Sequence, residues 1–279
     1  MKRYMQGIVG AIVVAMLLGT STGLAADSIP IGMLGFAELR QSAEQGCPDS
    51  QNEMGLTYEL GRGVDVDYER AVYWYRLAAE QGHTFAQSNL GWMYRRGTGV
   101  VQSYEQAIYW FRLAAEQGLS FAQNDLGRMY ESGLGVEVDY ERALYWYRLS
   151  ANQGYSGAQF NIGWMYWLGS GVSQNLEQAV HWYRLSAEQG HTYAQFNLGI
   201  MYQRGTGVFQ SYKQAIYWYR IAAELGNLRA KYNLAWTYQH GLGVVQNYER
   251  AFYWYTLAAE LGSEYAQDML DSYDFGNLG

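Results

Sequence analysis

Proline is nearly absent from this 279-residue chain, with 2 in all, and cysteine occurs once. A single thiol cannot close an intramolecular disulfide or supply a thiolate zinc site. Glycine is abundant at 33, but without proline this is neither a collagen-like nor a loop-like composition. Charge is sparse. Only 16% of residues are Asp, Glu, Lys or Arg, and 19 cations face 26 anions for a net charge of −7. A nucleic-acid binder replaces phosphate counterions with its own cations, so this balance argues against that class. Aromatics make up a further 16%, including 27 Tyr and 10 Trp. Disordered chains are poor in aromatics, which excludes general disorder.

No apolar run is long enough to cross a membrane. Ile8 to Leu18 is uncharged and largely apolar, yet far short of the roughly 20 residues a spanning helix needs. Lys2 and Arg3 precede it, and Gly23-Leu24-Ala25-Ala26 follows with small residues. This order predicts a secretory signal peptide over residues 1–26, cut after Ala25 or Ala26. An uncleaved anchor is the alternative. The expected location is the periplasm or the exterior, with residues 27–35 as an unstructured lead-in. Cys47 is then a lone thiol in an oxidising compartment, with a partly buried structural role as the simplest reading.

What the chain has in excess is self-similarity. Trp stands at 74, 110, 146, 182, 218 and 254, every 36 residues. Gly follows the same step at 61, 97, 133, 169, 205 and 241, and again at 82, 118, 154, 190, 226 and 262. Such a period marks a repeat architecture. Six units are expected at 47–82, 83–118, 119–154, 155–190, 191–226 and 227–262. Residues 36–46 match the second half of a unit and residues 263–279 the first half.

Each unit reads as two short helices. In 83–118, Ala86, Leu90, Met93 and Tyr94 recur at helical spacing. Gly97 ends this first helix. Ser103 caps the second, matched by Asp67, Asp139, Asn175, Ser211 and Asn247, all favoured N-cap types. Thr84 and Gln87 have the form of a capping box, repeated at Ser120/Gln123, Ser156/Gln159 and Thr192/Gln195. Arg112 and Glu116 are expected to form a surface i,i+4 pair. Small residues at Gly91 and Ala107 allow close backbone approach. Helices of about 12 to 15 residues are marginal alone, so neighbours must stabilise them.

The sequence Ala86 to Val100 reads A-Q-x-x-L-G-x-M-Y-x-x-G-x-G-V, and Tyr104 to Gly118 reads Y-E-Q-A-x-x-W-x-R-L-A-A-E-Q-G. This pattern resembles the Sel1-like repeat family, relatives of the tetratricopeptide repeats. The resemblance implies an all-α, α/α superhelical solenoid with first helices on the concave face and second helices on the convex face. It also implies adaptor or scaffold roles, often in cell envelopes and signalling. Some exported relatives are described as binding or hydrolysing penicillin-type compounds. Those carry cysteine pairs, and Cys47 alone does not supply them.

A helical wheel at about 100° per residue, with Ala86 at the packed side, sets positions 88, 92, 95 and 96 on the opposite arc. Its occupants vary between units. The second unit has Trp92, Arg95 and Arg96, and the third has Arg128. The fourth is strongly apolar, with Phe160, Trp164, Trp167 and Leu168. Phe196 and Arg204 follow in the fifth, and Tyr232 and Trp236 in the sixth. Solvent-facing helix positions are normally polar, exposed apolar patches mark binding sites, and Trp, Tyr and Arg lead interface hot spots. Apart from Leu168, these side chains, eleven in all, form the candidate partner-binding groove. The alternative is that a tightly wound superhelix buries part of the arc and makes the rings core. A second stripe, Tyr73/Leu77 and its equivalents, is read as packing between second helices or as a docking ridge.

Catalytic constellations are not evident. His83 and His191 share one loop position and lack a second His at i+4, as a helical metal pair requires. Asp67 and Glu69 read as a cap and a first-turn carboxylate. No catalytic residue, metal or cofactor is assigned. The expected function is a non-enzymatic envelope adaptor that binds a peptide or protein segment in the groove. The alternative is binding of peptidoglycan or a β-lactam, or modulation of a cell-wall enzyme, since aromatic grooves also suit sugar rings.

Overall fold

A computed structural model describes residues 35–272. The expected signal peptide, nearly all of the lead-in and residues 273–279 lie outside the described residues. Among the described residues all regular structure is helical. α1 (Phe36–Glu44) is the N-terminal half unit. Six pairs follow: α2 (Pro48–Leu60) with α3 (Tyr68–Glu80), α4 (Thr84–Arg96) with α5 (Tyr104–Glu116), α6 (Ser120–Ser132) with α7 (Tyr140–Asn152), α8 (Ser156–Leu168) with α9 (Leu176–Glu188), α10 (Thr192–Arg204) with α11 (Tyr212–Glu224), and α12 (Leu228–His240) with α13 (Tyr248–Ala259). α14 (Glu264–Ser272) closes the series. Each helix packs most extensively on its chain neighbours, so the molecule is an all-α solenoid whose stability is largely a sum of units and nearest-neighbour interfaces.

The unit is built around one contact. Tyr75, Phe111, Tyr147, Tyr183, Tyr219 and Tyr255, on the second helices, are essentially fully buried. In five units the ring rests on a first-helix glycine. A methyl group at Gly127 would lie 2.7 Å from the Tyr147 ring, so no larger residue fits without the pair opening. Ala71, Ala107 and their equivalents are buried as well. This close approach agrees with the small-residue pattern in the sequence.

The helix ends follow mostly the expected chemistry. Gly97 adopts φ 69° and its N–H bonds the Met93 carbonyl. All six expected caps of the second helices hold: the side chains of Asp67, Ser103, Asp139, Asn175, Ser211 and Asn247 each accept the N–H three residues on. The first helices differ from expectation. Thr84 is already helical and His83 is the N-cap, its Nδ1 accepting the Ala86 N–H at 3.1 Å. His191 and Asn227 cap in the same way. Burial lowers the pKa of His191, which favours the neutral ring that such a cap requires.

Gln87 is freed from the expected box and joins units instead. Its amide donates to the Ala79 carbonyl, and its Oε1 accepts from Gln117 at 2.7 Å. Gln81–Gln51, Gln153–Gln123 and Gln189–Gln159 repeat the bond. Arg112 likewise does not pair with Glu116. It donates to Tyr130 Oη at 3.1 Å, and Arg76, Arg148 and Arg184 reach Tyr94, Tyr166 and Tyr202 in the next unit. Both side chains thus carry interactions between elements rather than within one helix.

The glutamine series stops at Leu225, which occupies the register of Gln117, and there Gln195 Oε1 is buried without a partner. Leu225 is 57% exposed, so its replacement forfeits little apolar burial. Leu225→Gln is expected to stabilise the protein by about 1 kcal/mol by satisfying that oxygen. A rise in the chemical-unfolding midpoint, with slower amide exchange in α10–α12, is the check.

Asp125 is 4% exposed between the second and third units. Its carboxylate lies 3.9 Å from Arg95, too far for a hydrogen bond. Burial pushes its pKa up to about 6, against the opposing pull of Arg95, Arg128, a hydrogen bond from Trp92, and Arg96. An unfolded Asp titrates near ~3.9, so the fold takes up a proton between those values. The folded state is therefore penalised above about pH 6 and relieved as pH falls toward 4, by up to a few kcal/mol. The wild type should gain stability from pH 7.5 to pH 4.5 relative to Asp125→Asn. Parallel unfolding curves of the two proteins across that range would exclude the effect.

Candidate binding groove

Leu90 and Met93 anchor the inner face of α4 and have buried equivalents in the other first helices. The opposite face carries the groove positions. Consecutive first helices run side by side on it, since Asn89 donates to Asn52 and Asn161 to Asn124, each 37 residues back.

In four of the six units the side chain at the position of Arg95 serves the buried tyrosine of the same pair. Tyr75 and Tyr147 donate to Glu59 and Glu131 at 2.5 Å, Tyr219 to Gln203 at 2.5 Å, and Tyr255 to Gln239 at 2.7 Å. Burial is the largest cause holding the Tyr75 and Tyr147 phenols well above their ordinary pKa range, with the partnering carboxylates adding to it. In the second unit Arg95 stands at this position and the ring is Phe111, which needs no acceptor. In the fourth unit Trp167 replaces the acceptor while Tyr183 keeps its hydroxyl, which is buried with no acceptor in reach and only Asn197 beside it as a donor.

The eleven sequence-predicted side chains fall into three groups. In the second and third units, Arg95 and Arg96 lie 4.7 and 4.8 Å from the Trp92 ring centroid. Trp92 also packs edge-on against Phe111, and Arg128 is exposed nearby. Trp92 and Arg96 line a depression of about 500 Å³ beside Glu59 and Leu60.

In the fourth and fifth units, Trp164, Trp167, Phe196 and Arg204 surround one cavity of about 170 Å³. Trp164 is 39% exposed, whereas Phe196 is only 8% exposed and forms part of the floor. Phe160 stacks on His191 at 4.7 Å and lines an adjoining depression of about 510 Å³. The third group, Tyr232 and Trp236 of α12, lies outside both of these lining sets. Tyr232 packs on Tyr255 and Tyr265, and Trp236 on His240 at 4.6 Å.

Five lining residues were not among the sequence candidates: Ile200 and Met201 of α10, and three polar ones. Tyr183 comes from a second helix, Asn197 from the asparagine register of α10, and Arg229 from the first turn of α12. The available signal was the column Glu59, Glu131, Gln203, Gln239, which Arg95 interrupts opposite a Phe and Trp167 interrupts opposite a Tyr. The Tyr73 ridge is real as a surface. Tyr73, Tyr109, Tyr145, Tyr217 and Tyr253 are about half exposed, each edge-on to the following Trp, while Leu77 and Leu113 pack on the core. Among the described residues no cluster of three or more His, Cys, Asp or Glu is arranged to hold a metal ion.

A Sel1 repeat model matches residues 48–83, 84–119, 120–155, 156–191, 192–227 and 228–263, one residue later than the units read from the spacing. The structure is similar to that of c5321, a protective antigen of uropathogenic Escherichia coli with an SLR fold, at 39% identity and a TM-score of 0.81. That match covers 85% of this chain and 51% of the other, so this chain spans about half the length of c5321. It is also similar to a Sel1 repeat protein from Oxalobacter formigenes, at 37% identity and a TM-score of 0.73, covering 80% and 89% of the two chains. No curated protein matches the chain. Proteins built of these repeats are generally non-catalytic scaffolds that mediate protein–protein interaction. With six consecutive matches spanning most of its length, the chain belongs to the Sel1 repeat family.

Proposed function

We propose that this protein is a non-enzymatic adaptor of the bacterial cell envelope that binds an extended protein segment along the face formed by its first helices. The observation that carries this reading is the cluster at α8 and α10. Trp164 and Leu168 are exposed there, beside a cavity lined by Trp167 and Phe196. A contiguous aromatic surface next to unpaired arginines has the composition of an interface hot spot. The export part of the reading rests on Lys2, Arg3 and the apolar run Ile8 to Leu18.

A photo-crosslinking amino acid at Leu168 is expected to trap a discrete partner in the native cell. The same group at Tyr145, on the ridge, is expected to trap none. Trp164→Ala with Trp236→Ala should reduce capture by at least about 30-fold, the scale of a single hot-spot truncation of about 2 kcal/mol, while helical circular dichroism is unchanged. Undiminished capture by the double variant would remove the groove from the account.

A further inference from the structure

The cavity beneath Trp164 and Trp167 is selective in its chemistry. Its volume of about 170 Å³ is close to that of an engineered apolar cavity of ~150 Å³ that takes up benzene, so it admits one ring-sized group. Every polar side chain around it can donate a hydrogen bond, and among them only Asn197 and Tyr183 can also accept one. Tyr183 is 1% exposed and lines the cavity with a hydroxyl that reaches no acceptor, with Asn197 beside it as a donor. Asn197 stands in the register of Asn89 and Asn161, but its counterpart in the preceding unit is Phe160, which cannot accept. Arg204 and Arg229 also line the cavity and form no ion pair among the described residues. No Asp or Glu lines this cavity or the adjoining depression, in a chain that is acidic overall.

Ring-sized apolar space and unpaired guanidinium groups thus meet in one small volume, so an occupant must carry its apolar group and its anion within a few ångströms of each other. An internal peptide segment places them on different residues. The last residue of a polypeptide has both on one Cα. We propose that this cavity captures the C-terminal residue of a partner polypeptide, with an aromatic or large aliphatic side chain between Trp164 and Phe196. The free carboxylate is held by Arg204 and Arg229, with Tyr183 donating its spare hydroxyl. Charge-assisted bonds to a carboxylate are the strong class, and the buried hydroxyl gains the acceptor it lacks. The inference rests on the reading that the first-helix face takes an extended segment, and it names the end of that segment.

The test is calorimetric titration of the full chain with the peptide acetyl-Ser-Gly-Ala-Gly-Ser-Phe, as free acid and as C-terminal amide. The acid is expected to bind one to one and the amide about tenfold more weakly or worse, the scale of one or two lost charge-assisted hydrogen bonds. Arg204→Gln with Arg229→Gln should abolish the preference for the acid. Tyr183→Phe should weaken the acid by several-fold without changing the unfolding midpoint. Equal affinity for acid and amide, retention of the preference in the arginine variant, or no binding of either peptide would overturn the proposal. So would 3-phenylpropionate binding as tightly as the peptide, which would reassign the cavity to small aromatic acids. If crosslinking at Leu168 persists in the arginine variant but fails in the Trp164→Ala, Trp236→Ala variant, the C-terminal inference falls and the groove reading stands.

Discussion

The fold depends on one contact: a buried aromatic ring from each second helix set against a glycine of the first. Neither helix of a pair is long enough to be stable alone. The ring supplies the apolar burial, and the glycine lets the two backbones close on it. At Gly127 even a methyl group would collide with Tyr147. Ala235, in the sixth unit, is the variation on this theme that the chain carries. Everything on the surface is positioned by six copies of that pair, joined by glutamine amides and by arginines donating to the tyrosine of the following unit.

The ring also brings a polar obligation. A tyrosine hydroxyl inside the pair needs an acceptor, and Glu59, Glu131, Gln203 and Gln239 provide it. The second unit avoids the obligation by using Phe111. Only the fourth unit keeps the hydroxyl and drops the acceptor, placing Trp167 where a carboxylate or amide would stand. Of the six units, this is the one whose first helix is most apolar and whose flank holds unpaired arginines. The departure from the repeated rule and the candidate cavity coincide.

Much of this was legible in the sequence because it is periodic. The Trp and Gly columns announce the units, and Asp67, Ser103 and their equivalents cap the second helices as their chemistry requires. What failed was local reasoning about side chains whose partners are far along the chain. Thr84 and Gln87 fit a capping box by spacing, but a buried glutamine gains more from a carbonyl eight residues back and an amide thirty residues on. Arg112 faces a tyrosine of the next unit rather than Glu116. A helical wheel ranks angles about one axis and carries no information on which neighbouring helix lies at each angle. It therefore assigned position 95 to the open face, though in four of the six units that position serves the ring within the pair. Tyr183 and Arg229 were invisible for the same reason, since their importance arises only where three units meet.

The account is tested most directly by removing the hydroxyl alone. Tyr→Phe variants at Tyr147, Tyr183 and Tyr219 delete one oxygen each and leave the ring on its glycine. Measured by chemical unfolding at neutral pH, Tyr147→Phe and Tyr219→Phe should each lose about 1–2 kcal/mol, as expected for a satisfied partly buried bond, while Tyr183→Phe should lose nothing or gain slightly. Equal losses at all three positions would show that Tyr183 already has a partner inside the pair, and would contradict the claim that the fourth unit is built with its donor unspent.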